Sequence, residues 1–397
     1  MPVITQAVSN FVLIPILLKA LGERAFGIYA MLYSIAQFTS FGVGWLGGVA
    51  IRLIGLYEAR NNQEKLQEVT LLVFYYFLFY GFIISIAGIF ISQFFNLESN
   101  IRSAVFLLAL YLFFNYILQA IINILFSYNL QFVANIIRTL PTIIYTLLSL
   151  LMLEYWKQEI IVPFLALLIS VVIMLPVVLK YFFRFGLFNN PFKIDKETIK
   201  EVFLYVGFWN FLYGVLIVSL VQDRIFLGFF ISPESAAKFT VLWTIPNFFY
   251  QILWKIIGVS QPYYVRFYEK NLNMLKKLFL VNTLLASLIA FGFSIVYAFY
   301  GKKIVYLWTG TVINFTLSKA FLFAGILTFI VVLEKVFSLL FFPLGRYKYL
   351  IISLLVVFII KYIGAIFILD FAGEVSIVLS SIMGFLIVFL MHIFYFT

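Results

Sequence analysis

Long apolar runs, each about the length of a membrane crossing, alternate along the chain with short polar links. A spanning helix needs roughly 20 predominantly apolar residues. On that rule the pattern predicts twelve helices, near residues 3–20, 25–50, 69–92, 102–125, 136–153, 160–183, 202–228, 236–260, 277–300, 318–342, 348–369 and 375–395. No link between them is long enough to fold as a soluble domain. Hydrocarbon admits only helices and closed barrels, because every backbone polar group must find a partner within the protein. Segments of this length therefore argue for an all-α polytopic membrane protein.

The polar links organise the twelve helices. The most polar of them runs from Arg184 to Glu201, at mid-chain. It divides the chain into an N-terminal six-helix lobe (residues 1–184), a link (185–201) and a C-terminal six-helix lobe (202–397). The two halves resemble each other weakly at one joint. Leu21-Gly22 is followed by Phe26-Gly27-Ile28-Tyr29, and Leu227-Gly228 by Ala236-Ala237-Lys238-Phe239. Six is an even number, so both halves would enter the membrane the same way, with a substrate cavity expected where the repeats meet.

Several predicted spans carry polar stripes. Asn115, Gln119 and Asn123 recur every four residues on the fourth helix, which keeps them on one face. Asn247, Gln251 and Lys255 do the same on the eighth. The first helix pairs Thr5 with Ser9 and Gln6 with Asn10, and the tenth carries Glu334 and Ser338 on one face with Lys335 beside them. Polar groups in hydrocarbon face the bundle interior or a water-filled cavity, or bond neighbouring helices together. Both readings stay open for the amides. For Lys255, near mid-span, cavity lining is the expectation. Asp223 and Arg224 are expected to be structural: adjacent residues point about 100° apart on a helix, so each needs its own partner. Glu334 and Lys335 could carry ion coupling or form a structural pair. His392 is expected at the membrane interface, and Gly42, Gly44, Gly47 and Gly48 to let helices pack closely or soften a gate.

Composition excludes several chemistries. The 397 residues are 64% hydrophobic and 11% charged, with no Cys and one His. A soluble domain is nearer 25% charged. Thiol chemistry, disulfides and cysteine metal sites are absent, and no metal site or bound cofactor is expected. The net charge of +11 fits anionic lipid and inner loops rather than nucleic acid. With the N-terminus inside, fifteen Lys and Arg, including Arg52 and Arg138, fall on inner links against nine on outer ones. That bias predicts both termini in the cytoplasm. The first apolar stretch lacks a basic leader and an A-x-A-like cleavage site, so it is expected to be a retained span. There is no Walker A pattern.

Four strings carry a resemblance. They are LKALGERAFGIYAML (Leu18–Leu32), the glycine-rich second helix ending at Ile51-Arg52, QDRIFLGFFISPESAAKFTV (Gln222–Val241) and YGKKIVYLWTG (Tyr300–Gly310). In this order they resemble the polysaccharide transporter family, the lipid-linked oligosaccharide flippase branch of the multidrug/oligosaccharidyl-lipid/polysaccharide exporter superfamily. Members have a longer N-terminal lead. The resemblance implies two six-helix lobes around a central cavity and alternating access. It implies movement of undecaprenyl-diphosphate-linked oligosaccharides to the outer leaflet of a bacterial cytoplasmic membrane, for O-antigen, capsule or related polymers. Partner glycosyltransferases and a polymerase would act on the same glycan. Lys255, Gln251, Asn247, Asn115, Gln119, Asn123 and Arg52 are the expected cavity residues. A diphosphate carries about two negative charges, so outward movement across a membrane that is negative inside gains about 4–5 kcal/mol per 100 mV. Coupling to a proton or sodium gradient is a further expectation. The alternatives are a cation-coupled multidrug exporter of the same superfamily, for which a buried acid in the first helix is expected and none stands between Val3 and Leu18, and a membrane polymerase or glycosyltransferase, or a non-transporting scaffold.

Overall fold

The computed structural model describes the backbone of residues 2–40, 52–58, 60–95, 97–155, 159–187, 194–341 and 346–396. The four second-helix glycines from Gly42 to Gly48 lie outside these residues. Among the described residues the secondary structure is helical, with no strand. The helices are α1 (Pro2–Thr39), a short stretch at 52–58, α2 (Gln63–Phe94), α3 (Ser99–Ser127), α4 (Gln131–Tyr155), α5 (Ile161–Val172), α6 (Leu175–Arg184), α7 (Lys196–Ser219), α8 (Asp223–Phe230), α9 (Pro233–Gly258), α10 (Gln261–Lys270), α11 (Leu272–Thr309), α12 (Ala320–Phe341), α13 (Tyr347–Phe367), α14 (Leu369–Ala372) and α15 (Ser376–Phe396).

Nine helices among the described residues are long and apolar enough to cross a membrane, ten if one bent pair is a single span. The expected twelve is thus an approximate count. Two of the predicted helices are continuous in α1, where Gly22 interrupts the helix with φ +77° and ψ 168°. Only glycine enters that region at little cost. The predicted seventh helix is broken instead: 212–219 and Asp223–Phe230 meet at 56°. The surface is inverted relative to a soluble protein. Phe299, Phe367 and Phe94 are 80%, 83% and 73% exposed, as side chains against lipid would be.

The chain forms two compact units. The first comprises Met1–Ile16 and Leu32–Val218, the second Leu17–Met31 and Ser219–Thr397. These bounds differ from the expected lobes. The start of α7 stays with the first unit, tied there by polar contacts. Lys65 Nζ lies 3.3 Å from Asp195 Oδ2 and donates to Thr198 Oγ1 at 2.8 Å, while the Tyr57 hydroxyl donates to Glu201. Residues 17–31 of α1 belong with the second unit. There Gly27 lies so close to the Pro233 carbonyl that any Cβ would overlap it. This close approach links two of the strings that carry the family resemblance.

Within the first unit α2 packs along α3, and α3 along α4 and α5. Tyr116 of α3 is buried, and its hydroxyl reaches Thr39 Oγ1 at 2.5 Å. Within the second unit α11 packs along α12, and α12 and α13 both pack along α15. An apolar core joins Leu253 and Ile257 of α9, Ala286 and Ala290 of α11, and Val332, Val336 and Leu339 of α12. Tyr264 is fully buried in it and pairs its hydroxyl with Asn282 Nδ2 at 2.8 Å. A buried phenol normally finds such a partner.

Candidate transport cavity and buried charge clusters

The first unit contains a cavity of about 310 Å³ between α1, α3, α4 and α5. Polar side chains converge on it from each helix: Gln6, Ser9 and Asn10 from α1, Asn115 and Gln119 from α3, Arg138 and Thr142 from α4, and Ser170 from α5. Tyr33, Tyr111 and Tyr145 add hydroxyls on aromatic rings. Gln6 Nε2 donates to the Tyr33 hydroxyl at 3.4 Å, and Ser9 pairs with Thr146 at 2.5 Å. Pro141 lines the wall and has no N–H to give the Ile137 carbonyl, which loosens α4 at this level. Arg138 is the one charged residue among the described residues of the lining. Its guanidinium sits 5.1 Å from the centre of the Phe126 ring, a cation–π distance.

The structure brings together some of the residues singled out in the sequence and separates others. Asn115 and Gln119 line the cavity, with Gln6 and Asn10 of the first helix. Asn123, on the same stripe, is buried and donates its amide to the Gln119 carbonyl at 2.9 Å. It is not part of the lining. Asn247 and Gln251 are half-buried and Lys255 is exposed on α9, in the second unit, so this stripe does not line the cavity of the first. Arg52 is exposed on the helical stretch 52–58 and is also outside the lining.

Arg138 is the residue that sequence reasoning misplaced. Counted among the inner links, it lies two turns inside α4, because α4 begins at Gln131 rather than near residue 136. An arginine just inside the predicted helix start, followed by Thr139, Pro141 and Thr142, was the available signal.

The second unit holds two buried charge clusters. At the first, α7 ends at Ser219 and α8 starts at Asp223, leaving backbone carbonyls open inside an apolar stretch. Lys361 of α13 fills this break. Its Nζ lies 2.6 Å from Asp223 Oδ1 and donates to the Leu220 carbonyl at 2.5 Å. The neighbouring Tyr362 hydroxyl donates to the Ser219 carbonyl at 2.7 Å and lies 3.3 Å from Asp223 Oδ1. The partner of Asp223 is thus Lys361, not the adjacent Arg224, which is half-buried and has contacts of its own.

The second cluster joins α12 to α15. Glu334 is 3% exposed and His392 fully buried. His392 thus lies within the protein, near the end of α15, and not on its surface. His392 Nε2 stands 3.6 Å from Glu334 Oε1, and Lys335 Nζ 3.5 Å from Oε2. Both Glu334 Oε2 and His392 Nε2 are buried without a hydrogen-bond partner. Glu334 and Lys335 do form an ion pair, but a loose one. Among the described residues no group of three or more His, Asp or Glu is placed to hold a metal ion.

No protein-family model and no curated protein matches the chain. Solved structures do. The chain is similar to the inward-facing conformation of a multidrug resistance MATE family transporter of the MOP superfamily, with a TM-score of 0.81 and 14% identity over 98% of this chain and 93% of that one. The fold is that of the MATE transporters. An outward-facing conformation of a multidrug resistance MATE family transporter matches with a TM-score of 0.68 and 14% identity, over 99% and 92% of the two chains. A MOP superfamily transporter from Pyrococcus furiosus, described as having a binding pocket of reversed polarity, matches with a TM-score of 0.67 and 15% identity over 99% and 92%. At these identities the likeness carries the fold. A MATE-like fold of many apolar helices makes this a multi-pass membrane protein.

Proposed function

We propose that the protein is a membrane exporter that moves an amphiphile with a polar, anionic head, and that the cavity of the first unit holds that head. The observation that carries the reading is the lining: amides and hydroxyls from four helices, with Arg138 as the charged member and no acid among the described residues. Amides and hydroxyls suit sugar hydroxyls. A guanidinium suits phosphate oxygens through paired N–H donors. A cationic drug would need the opposite charge in that wall. A lipid-linked oligosaccharide on a polyprenyl diphosphate combines these features in one molecule, and the resemblance in sequence supports it. Such a carrier would work in a bacterial cytoplasmic membrane with both termini inside, driven by the membrane potential and by a proton or sodium gradient.

A second reading, cation-coupled multidrug export, is supported by the solved structures, which are multidrug transporters. It has the stronger backing from likeness, and the first from the cavity's chemistry. Binding separates them. With purified protein in detergent, undecaprenyl diphosphate is expected to raise the unfolding temperature, and tetraphenylphosphonium to leave it unchanged. Arg138→Gln is expected to weaken the lipid's affinity by about tenfold or more, the worth of a charge-assisted hydrogen bond. Stabilisation by the organic cation alone would overturn the reading in favour of drug export.

A further inference from the structure

We infer that the hairpin of α10 and the start of α11, in the second unit, is a docking surface for the headgroup of an anionic phospholipid. The inference rests on the chain being a membrane protein and not on its cargo. Arg266 and Lys270 of α10 and Lys276 and Lys277 of α11 are all exposed. Between residues 261 and 280 the sequence sets these four cations against a single acid, Glu269. Lys65, Lys335 and Lys361 are each held by a carboxylate. Among the described residues no carboxylate stands so beside any of the four. A cluster of one sign repels itself and concentrates anions around it.

The run of α11 says which anion. This helix has 38 residues, a length of about 57 Å at 1.5 Å per residue, so it extends beyond a hydrocarbon core of roughly 30 Å. Lys276 is followed at four-residue intervals by Leu280, Leu284 and Leu288, and Lys277 by Val281, Leu285 and Ile289. That spacing keeps each row on one face. All six apolar side chains are exposed, as side chains facing acyl chains are. The two lysines continue these rows by one further turn, about 6 Å. The headgroup layer adds about 5–8 Å to each side of the core, so that step carries a lysine from hydrocarbon to phosphate. Its methylene stem lies along the apolar surface and its ammonium reaches the headgroups.

The α10 cations are fixed at the same end of the unit. α10 packs along α11. Tyr264 of α10 is buried, and Asn282 Nδ2 of α11 donates to its hydroxyl at 2.8 Å and to Ser260 Oγ at 2.7 Å. Tyr263, Arg266 and Lys270, at spacings of three and four, form an exposed face of the same helix. The Tyr263 ring packs on Phe267 at 6.3 Å, and tyrosine is a residue of membrane interfaces. Asn271 makes the turn, its side chain accepting from the Met274 N–H at 3.1 Å. No acid stands in the first turn of α11, so the positive end of its dipole adds to the lysines. This surface suits a headgroup with net negative charge and disfavours one whose outer group is an ammonium.

The full-length protein in neutral detergent serves for the test, with bound lipid counted by native mass spectrometry. The parent is expected to retain dioleoylphosphatidylglycerol in preference to dioleoylphosphatidylcholine. Each cation near an anionic surface is worth about fivefold. Lys276→Gln with Lys277→Gln is therefore expected to weaken phosphatidylglycerol binding by about tenfold or more, and adding Arg266→Gln and Lys270→Gln to weaken it further. Lys276→Arg with Lys277→Arg keeps the charge and should keep the binding. Lys302→Gln with Lys303→Gln, exposed toward the other end of α11, should leave it unchanged. Equal retention of the two lipids would overturn the inference, as would an equal loss from the Lys302 and Lys303 pair. So would inorganic phosphate raising the unfolding temperature as much as phosphatidylglycerol does, which would mark a site for a free anion. None of these outcomes bears on the cargo of the first unit, which the binding experiment above tests separately.

Discussion

The two charge clusters of the second unit are built from similar residues and solve opposite problems. At the α7–α8 break, a lysine and a tyrosine from α13 reach the carbonyls that the broken helix leaves open and the carboxylate beside them. Between α12 and α15, a glutamate and a histidine are as dry and a lysine is partly exposed, yet their contacts are long and two atoms stay without hydrogen bonds. A satisfied network fixes a geometry. A loose one fixes it less tightly. The difference teaches that a buried charge in a membrane span is not in itself a sign of coupling; what matters is whether its partners are already in place.

Substitutions that remove one partner from each cluster break this comparison. Lys361→Met is expected to have the largest effect. It leaves Asp223 buried beside open carbonyls and costs about 3–5 kcal/mol, the usual penalty for splitting a buried pair. Thermal unfolding in detergent would show it as a marked drop, and adding Asp223→Asn should recover part of the loss. Next comes Tyr362→Phe, which takes one donor from the Ser219 carbonyl and should cost ~1–3 kcal/mol. Glu334→Gln is expected to stay within about 1 kcal/mol of the parent, because a neutral amide replaces a charge that was poorly compensated. A loss as large as that of Lys361→Met would mean that the two clusters are alike.

The exposed pair between Lys65 and Asp195 is the control, with the smallest effect. The backbone N–H of Glu197, and then Lys65, hold the Asp195 carboxyl below the usual aspartate range. A depressed value in the folded state stabilises above the ordinary value near ~3.9 and loses that stabilisation as pH falls through the lower folded value. Asp195→Asn should therefore shift the unfolding temperature only marginally at neutral pH, and the mutant and parent curves should converge in acid. A large neutral-pH effect would show that surface pairing matters more here than exposed pairs generally do.

Much of the fold was legible because membrane spans announce themselves by length. Lipid removes alternatives, so apolar runs between short polar links already fix an all-helical protein. The bounds were less legible. Hydropathy places helix bounds only loosely, and α4 begins at Gln131, five residues before the expected start, so Arg138 falls inside a cavity wall rather than in a link. The division near residues 185–201 marked a polar loop, whereas contacts of Thr198 and Glu201 keep the start of α7 with the first unit. Of the candidate site, the Asn115–Gln119 face was readable from its four-residue spacing, while the buried amide of Asn123 on the same face bonds its own helix. Local spacing says nothing of partners far along the chain. Asp223 with Lys361, and Glu334 with His392, come together only through packing.

The central claim, that the first unit holds the anionic head of an exported amphiphile, has a direct test. The protein would be reconstituted in vesicles with a fluorescent oligosaccharide linked to undecaprenyl diphosphate, and the fraction of label reaching the opposite leaflet followed over time. The parent protein is expected to move the label, and Arg138→Gln to slow it about tenfold or more, as loss of a charged hydrogen bond implies, while remaining folded. Equal rates for the two proteins, or no movement of the label by a parent that still extrudes organic cations, would contradict the account.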